Sequence, residues 1–214
     1  MPGPADALAS ACPAAVRDWA GRRLPGLDLP GLTPALANLA AELLRWNARI
    51  NLTGFRTAGE VWVGLFLDGL ALLPHVHGAS LLDIGSGAGF PGLVLGLARP
   101  DLAVTLLDAR AKRVSFQKHA VRTLDLTNVT PVQGRAGPGP DAALAGTLFD
   151  TVTIKAVGDL AASLALARPY LAPGGRILLP RGHADRPAAL DLGLDVIDYE
   201  LPPPGGRRII VLAA

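Results

Sequence analysis

The stretch Leu81-Leu82-Asp83-Ile84-Gly85-Ser86-Gly87-Ala88-Gly89-Phe90-Pro91-Gly92 decides the architecture. A short run rich in apolar residues passes into glycines spaced two apart, and apolar residues then return at helical spacing. That order reads as a buried strand, a tight turn and a helix, with the turn at the carboxyl end of the strand, where open α/β sheets bind ligands. Glycines at 85, 87 and 89 let the backbone turn sharply and approach a ligand without Cβ obstruction. An ordinary strand–helix connection also uses glycine, so the neighbouring acids matter. Asp83 stands two positions before Gly85, and Asp108 ends the next candidate strand, 19 residues beyond Gly89.

The same alternation extends downstream. Candidate strands Ser80–Ile84, Ala103–Asp108, Thr130–Gln133, Thr151–Lys155 and Arg176–Pro180 are interleaved with candidate helices Gly89–Arg99, Lys112–Leu124 and Leu160–Leu171. This interval predicts βαβ crossovers and a parallel sheet covered on both faces. Leu194–Glu200 and Ile209–Leu212 are separated by a Pro/Gly turn at 202–206, short for a helical crossover, so these strands should pair antiparallel. A parallel sheet closed by one hairpin is similar to the Rossmann-like, seven-stranded α/β sheet of class I methyltransferases.

Residues 1–74 read as an N-terminal helical extension and 75–214 as the sheet-bearing domain. Helical stretches between Pro4 and about Gly54 are separated by prolines and glycines from Leu24 to Pro34. In the second, Leu36, Leu39, Ala40, Leu43, Leu44 and Trp46 recur at helical spacing. Val61–Leu73 is a further apolar helix, too short for a membrane span and interrupted by Asp68. The Gly/Pro/Ala run Ala136–Gly146 reads as a loop.

Composition sets outer bounds. Half of the 214 residues are apolar and 18% are charged, which fits a globular chain and excludes disorder. The single Cys12 forms no internal disulfide, there is no Cys/His cluster for a metal, and the first residues do not resemble a signal peptide. A cytoplasmic, metal-free, monomeric protein without a membrane association is expected. The formal charge is only +2, but Arg110, Lys112, Arg113, Lys118 and Arg122 fall within 16 residues that contain no acid. That cluster is either a solvated helix face or a seat for nucleic-acid phosphates.

The acids narrow the choice of ligand. Asp108 is placed to accept both ribose hydroxyls of a nucleoside in a fork. Asp83 would welcome a cationic sulfonium or ammonium. In the dinucleotide fingerprint the third glycine would occupy position 90, but that residue is Phe90. The combination favours S-adenosylmethionine over NAD.

At this point the chain resembles the GidB/RsmG family, methyltransferases of guanine N7 in 16S ribosomal RNA of the small subunit. The resemblance is carried by Trp46-Asn47 with Ile50-Asn51-Leu52-Thr53, by Leu67-Asp68, by the glycine stretch, by Leu107-Asp108, by Lys112-Arg113-Val114 with Phe116, by Pro131–Ala136, by Phe149-Asp150 and by Ala172–Gly175. It runs from about Leu36 to the end of the chain. It implies S-adenosylmethionine as cofactor, held by Asp83, Gly85, Gly87, Phe90, Asp108, Ala136, Gly137 and Lys155. It also implies that small-subunit ribosomal RNA approaches Lys112, Arg113, Arg135 and Arg181, which would position substrate. No general base is expected, because guanine N7 is a lone-pair nucleophile without a proton to remove. Trp46 and Asn47 read as structural: a packed indole and an amide tying a helix end.

The chain also departs from the family pattern. The usual Arg-His pair before Leu67-Asp68 is replaced by Gly64 and Leu65, a usual Glu is Gly137, and the closing strand lacks a terminal lysine. Lys155 stands where the family has Arg, and Arg181 where it has Lys; the two cations differ in hydrogen-bond geometry. The lost cations leave a small-molecule methyltransferase, or a non-catalytic RNA-binding relic, as rival readings.

Overall fold

The computed structural model describes residues 12–137, 139–155 and 158–214. The start of the helical stretch expected from Pro4 lies outside the described residues, as does Ala156. Seven strands form one sheet: β1 (Ser80–Ile84), β2 (Ala103–Asp108), β3 (Val129–Gln133), β4 (Phe149–Ile154), β5 (Leu171–Gly182), β6 (Asp195–Leu201) and β7 (Gly206–Ala213). Their spatial order is β3-β2-β1-β4-β5-β7-β6. The first five are parallel, while β7 runs antiparallel between β5 and β6. The expected closing hairpin is present, and its second strand is the one that joins the parallel sheet. The order reverses between β1 and β4, the kind of switch point where open sheets leave a crevice.

Adjacent residues on each strand point to opposite faces, and the chain fills both faces with apolar side chains. Leu81, Leu106, Leu178 and Ile210 face one core, and their neighbours Leu82, Leu107, Leu179 and Val211 face the other. The first core is completed by the N-terminal helices α1 (Ala14–Arg23) and α2 (Leu29–Ile50), by a helix through residues 58–70 called α3, and by α4 (Gly92–Ala98). The second is covered by α6 (Leu160–Ala167) and α7 (Arg186–Asp191). Between α4 and α6 in sequence, α5 (Ala111–Thr123) packs on β2 and β3.

Local signals account for the helix limits. The sequence reading treats the prolines up to Pro34 as a separator, but α2 starts at Leu29. Pro30 sits in its first turn, where a proline costs no intrahelical bond, and Pro34 faces solvent. Asp28 caps this end by accepting from the Gly31 N–H at 3.0 Å. At the other end Asn51 adopts a left-handed φ of 45°. There the Asn47 amide donates to Thr53 and Phe55 carbonyls and accepts from the Leu52 and Thr53 N–H groups. All of its hydrogen-bonding capacity ties the helix end, as its structural reading requires. Trp46 packs edge-on against Phe116 at 5.6 Å.

Helix α3 opens with a capping box between Thr57 and Glu60 and passes through a π-helical segment, Trp62–Leu67. Every residue from 61 to 72 is buried, which explains why it is apolar on all sides: it runs through the core. Among the described residues no helix is long and apolar enough to cross a membrane. Downstream, several element limits differ from expectation: the helix after β1 starts at Gly92 rather than Gly89, and the last strand at Gly206 rather than Ile209. Helix α6 stops at Ala167, before Pro169, and β5 already begins at Leu171, its register with β4 shifting between Phe149 and Thr151 across the Pro173–Gly175 turn signal.

Candidate active site

The carboxyl ends of β1, β2 and β3 surround a cleft of about 340 Å³ lined by Gly85, Asp108, Arg110, Arg113, Arg135 and Ala136 among others. The turn after β1 forms its floor. Gly85, Gly87 and Gly89 have φ of 66°, 61° and 95°, conformations that side chains with a Cβ rarely adopt. The turn is fastened to the end of β2, with the Gly85 and Ser86 N–H groups donating to the Leu107 carbonyl at 2.8 and 3.1 Å. It is fastened again from above by the fully buried Gln117, whose Nε2 donates to Ser86 Oγ and to the Gly87 carbonyl. Gln117 escapes sequence reasoning; its one signal is a polar residue at a buried position of an amphipathic helix.

Asp108 is 4% exposed and already a full participant. Its Oδ2 accepts from the Gly87 N–H at 2.9 Å and from Arg113 Nη1 at 3.2 Å, and its Oδ1 accepts from the Arg110 N–H at 2.8 Å. A carboxylate offers about four acceptor positions, so a ribose diol would share or replace the long Arg113 contact. Asp83 is wholly buried beneath the turn. Its Oδ2 accepts from the Gly92 N–H at 2.9 Å, and its Oδ1 has no partner among the described residues. Burial pushes its carboxyl up to about 7, against the lowering effects of the Gly92 bond and the Lys155 charge. Gly92 is needed for packing: a Cβ there would lie 2.3 Å from Leu106 and 3.1 Å from Asp83 Oδ2. Arg135 is exposed, and its N–H is held by Asp141, whose carboxyl is kept below its usual range by that bond and by one from Ala143.

Several expected residues lie elsewhere. The Phe90 ring is 5% exposed and packs against Phe66 at 5.8 Å, in the core rather than on the cleft wall. Lys112 is exposed on the first turn of α5. Gly137 is half-buried, with open space where a Cβ would stand. Lys155 and Arg181 line a second cleft of about 280 Å³ with Asp68, Asp185 and Arg208. There Lys155 Nζ contacts Asp68 Oδ2 at 2.5 Å and donates to the Gly64 carbonyl at 3.2 Å. Asp68 also accepts from the Tyr199 hydroxyl at 2.8 Å. Burial and the Asp68 charge push that hydroxyl far up. Arg181 is 8% exposed and donates to the Gly158 carbonyl and Ser163 Oγ, and burial lowers its pKa. No histidine lines either cleft.

The family model described as rRNA small subunit methyltransferase G matches residues 33–190. The chain belongs to this family. A ribosomal RNA small subunit methyltransferase G from Myxococcus xanthus is 40% identical over 205 residues, covering 91% of this chain and 94% of that protein. Its counterpart from Methylobacillus flagellatus is 42% identical over 164 residues, covering 76% and 78%. Solved structures share the fold. A precorrin-6y C5,15-methyltransferase from Geobacter metallireducens gives a TM-score of 0.52 at 17% identity, covering 77% of this chain and 91% of that one. Fibrillarin from Aeropyrum pernix, with natively bound S-adenosyl-L-methionine, gives 0.50 at 19% identity, covering 69% and 71%.

A Cβ on Gly64 would lie 2.4 Å from the Phe55 ring, so this chain fills with an aromatic the space where a side chain at 64 would start. Leu65 is buried.

Proposed function

We propose that this protein transfers a methyl group from S-adenosylmethionine to N7 of a guanine in small-subunit ribosomal RNA. The observation that carries the reading is the glycine turn, pinned by Asp108, above a buried Asp83 oxygen that has no donor among the described residues. The cofactor, when bound, supplies an electrophilic methyl on a cationic sulfur. Its cationic groups suit an orphan carboxylate oxygen, and its ribose suits Asp108. Gly85 and Gly87 leave room for close approach, and Ala136 and Gly137 would border the base. Guanine N7 carries a free lone pair, so its methylation would leave positive charge on the ring and would require no proton transfer. The chain therefore has to position and desolvate rather than abstract.

RNA would reach the cleft past Lys112, Arg113 and Arg135. We place the protein in the cytoplasm and as a monomer, which light scattering at assay concentration would test. The functional experiment is direct. Small-subunit RNA from cells lacking the gene should lose one 7-methylguanosine, and the purified protein with labelled cofactor should restore it. Unchanged 7-methylguanosine content in the deleted strain would overturn the assignment. Asp108→Asn should weaken cofactor binding by roughly 1.5–3 kcal/mol, the scale of a charge-assisted hydrogen bond.

A further inference from the structure

We infer that Arg113 couples the two ligands of the cleft: the cofactor ribose displaces it from Asp108, and the freed guanidinium takes a phosphate of the RNA. The inference rests on the cofactor and RNA reading above and gives that site a thermodynamic link between its ligands. Asp108 has too few acceptor positions for every partner it would meet. A carboxylate offers about two on each oxygen. Oδ1 accepts from the Arg110 N–H at 2.8 Å, which leaves it one position. Oδ2 accepts from the Gly87 N–H at 2.9 Å and from Arg113 Nη1 at 3.2 Å, which leaves it none. A ribose diol gripped in a fork brings one donor to each oxygen. The donor to Oδ1 finds room, whereas the donor to Oδ2 has to replace one already present.

The two donors on Oδ2 are unequal. The Gly87 N–H belongs to the glycine turn, held there by a φ of 61° and by Gln117 on the Gly87 carbonyl. It cannot withdraw unless the turn does. The Arg113 contact is the longest of the three on Asp108, and it comes from a long side chain that is 32% exposed. A guanidinium with that access to water loses little by leaving. Arg113 is therefore the group that yields to the ribose.

The released side chain has a second use in the same place. Arg110 and Arg135 line the cleft with it, Lys112 is exposed beside it, and the first turn of α5 holds no acid. Once the ribose covers Asp108 Oδ2, the anion that matches the planar fork of Arg113 among these cations is a phosphate. RNA that engages Arg113 removes the competitor of the ribose, so it favours the cofactor. The cofactor, by freeing Arg113, favours RNA. Linkage requires the two effects to be equal. Arg113 is thus a positioning residue whose partner depends on what the cleft already holds, and it gathers RNA onto the loaded protein.

The test is the affinity for small-subunit RNA, by filter binding, with and without saturating S-adenosylhomocysteine. That compound keeps the ribose but has no methyl to transfer and no sulfonium charge, so binding is read without turnover. The parent should bind RNA about five- to tenfold more tightly in its presence, the low end of such couplings, as a partly exposed ion pair dictates. Calorimetry should return the same factor for S-adenosylhomocysteine with and without RNA. Arg113→Met should bring both factors to one. Without RNA it should also bind S-adenosylhomocysteine at least as tightly as the parent, because the competitor is gone, whereas a guanidinium that merely braces Asp108 would weaken binding when removed. Lys112→Met, an equal change of charge one residue away, should weaken RNA binding and keep the factor. RNA affinity in the parent that is indifferent to S-adenosylhomocysteine would overturn the inference, and that measurement stands even if Arg113→Met does not fold. A factor that survives in Arg113→Met, or vanishes equally in Lys112→Met, would overturn it as well. A parent protein that fails to bind S-adenosylhomocysteine or the RNA at all would overturn the functional reading itself, and the inference with it.

Discussion

Asp83 shows how a single buried carboxyl couples folding, ligand and pH. Its folded-state value of about 7 lies well above the ordinary 3.8, because burial penalises the charge more than the Gly92 bond and Lys155 favour it. Between about pH 4 and 7 the folded protein therefore holds a proton that the unfolded chain has released. This group's contribution to stability is largest at the acid end of that window and is lost as pH rises through it. Ligand binding runs the other way. A cationic cofactor favours the carboxylate, so affinity should rise with pH, by up to about tenfold per unit, and level off above 7. At pH 7 binding should release roughly half a proton. Titration calorimetry in buffers of different ionisation enthalpy would read this directly, and Asp83→Asn should abolish the buffer dependence. Heats that are identical in all buffers for the parent protein would show that Asp83 is not in contact with the cofactor's charge. At saturating cofactor Asp83 is already ionised, so single-turnover methylation should be nearly flat from about pH 6 to 8.5. A tenfold-per-unit acidic limb in that step would indicate a general base and remove N7 as acceptor.

At the level of elements, the seat of α4 on the sheet is the most sharply constrained contact near the site. Gly92 opens that helix with Leu106, Val104 and Asp83 all within 3.2 Å of where a Cβ would stand. Gly92→Ala should push α4 off β2 and cost about 1–3 kcal/mol, the usual penalty for overpacking. It should also weaken the N–H bond to Asp83, so cofactor affinity and thermal stability should fall together. A variant as stable as the parent, binding cofactor equally well, would show that the helix yields. The strands that build this region were legible because each is a short apolar run ending at a glycine, an acid or a turn. Its limits were less so. Pro30 and Pro34 look like breakers in sequence, yet the first turn tolerates one and the solvent face the other. The extension of β5 back to Leu171 depends on a register shift against β4 that no local pattern encodes. The residues of the cofactor cleft were readable because neighbouring strands β3, β2 and β1 bring their ends together in the order that βαβ crossovers impose. Tyr199 and Asp68 were not, since their meeting requires β7 to enter between β5 and β6 and α3 to pack in the same core as the edge strand.

Across the whole molecule, the modest charge of +2 has to be read by position. The five cations of the Arg110–Arg122 stretch look like one cluster in sequence, but a helix rises about 1.5 Å per residue, which separates its ends by roughly 18 Å. Only Arg110 and Arg113 line the cleft, the latter shared with Asp108, and Lys112 is exposed on the same first turn of α5. Lys118 and Arg122 are exposed further along α5, away from the turn that meets β2. Arg135, after β3, returns to the same mouth. If RNA enters over that mouth, the charges there should govern its salt dependence and the distal pair should not. Each phosphate neutralised on a single strand contributes about 0.7 to the slope of log affinity against log salt. Replacing Lys112 and Arg135 by alanine should therefore flatten the slope by roughly 1.4. Replacing Lys118 and Arg122, an equal change in net charge, should leave it nearly unaltered. Equal flattening by both pairs would show that only the overall field steers the RNA, and no flattening by either would return the stretch to a solvated helix face. Filter binding of small-subunit RNA from 50 to 300 mM salt, a range of roughly physiological screening lengths, separates these outcomes.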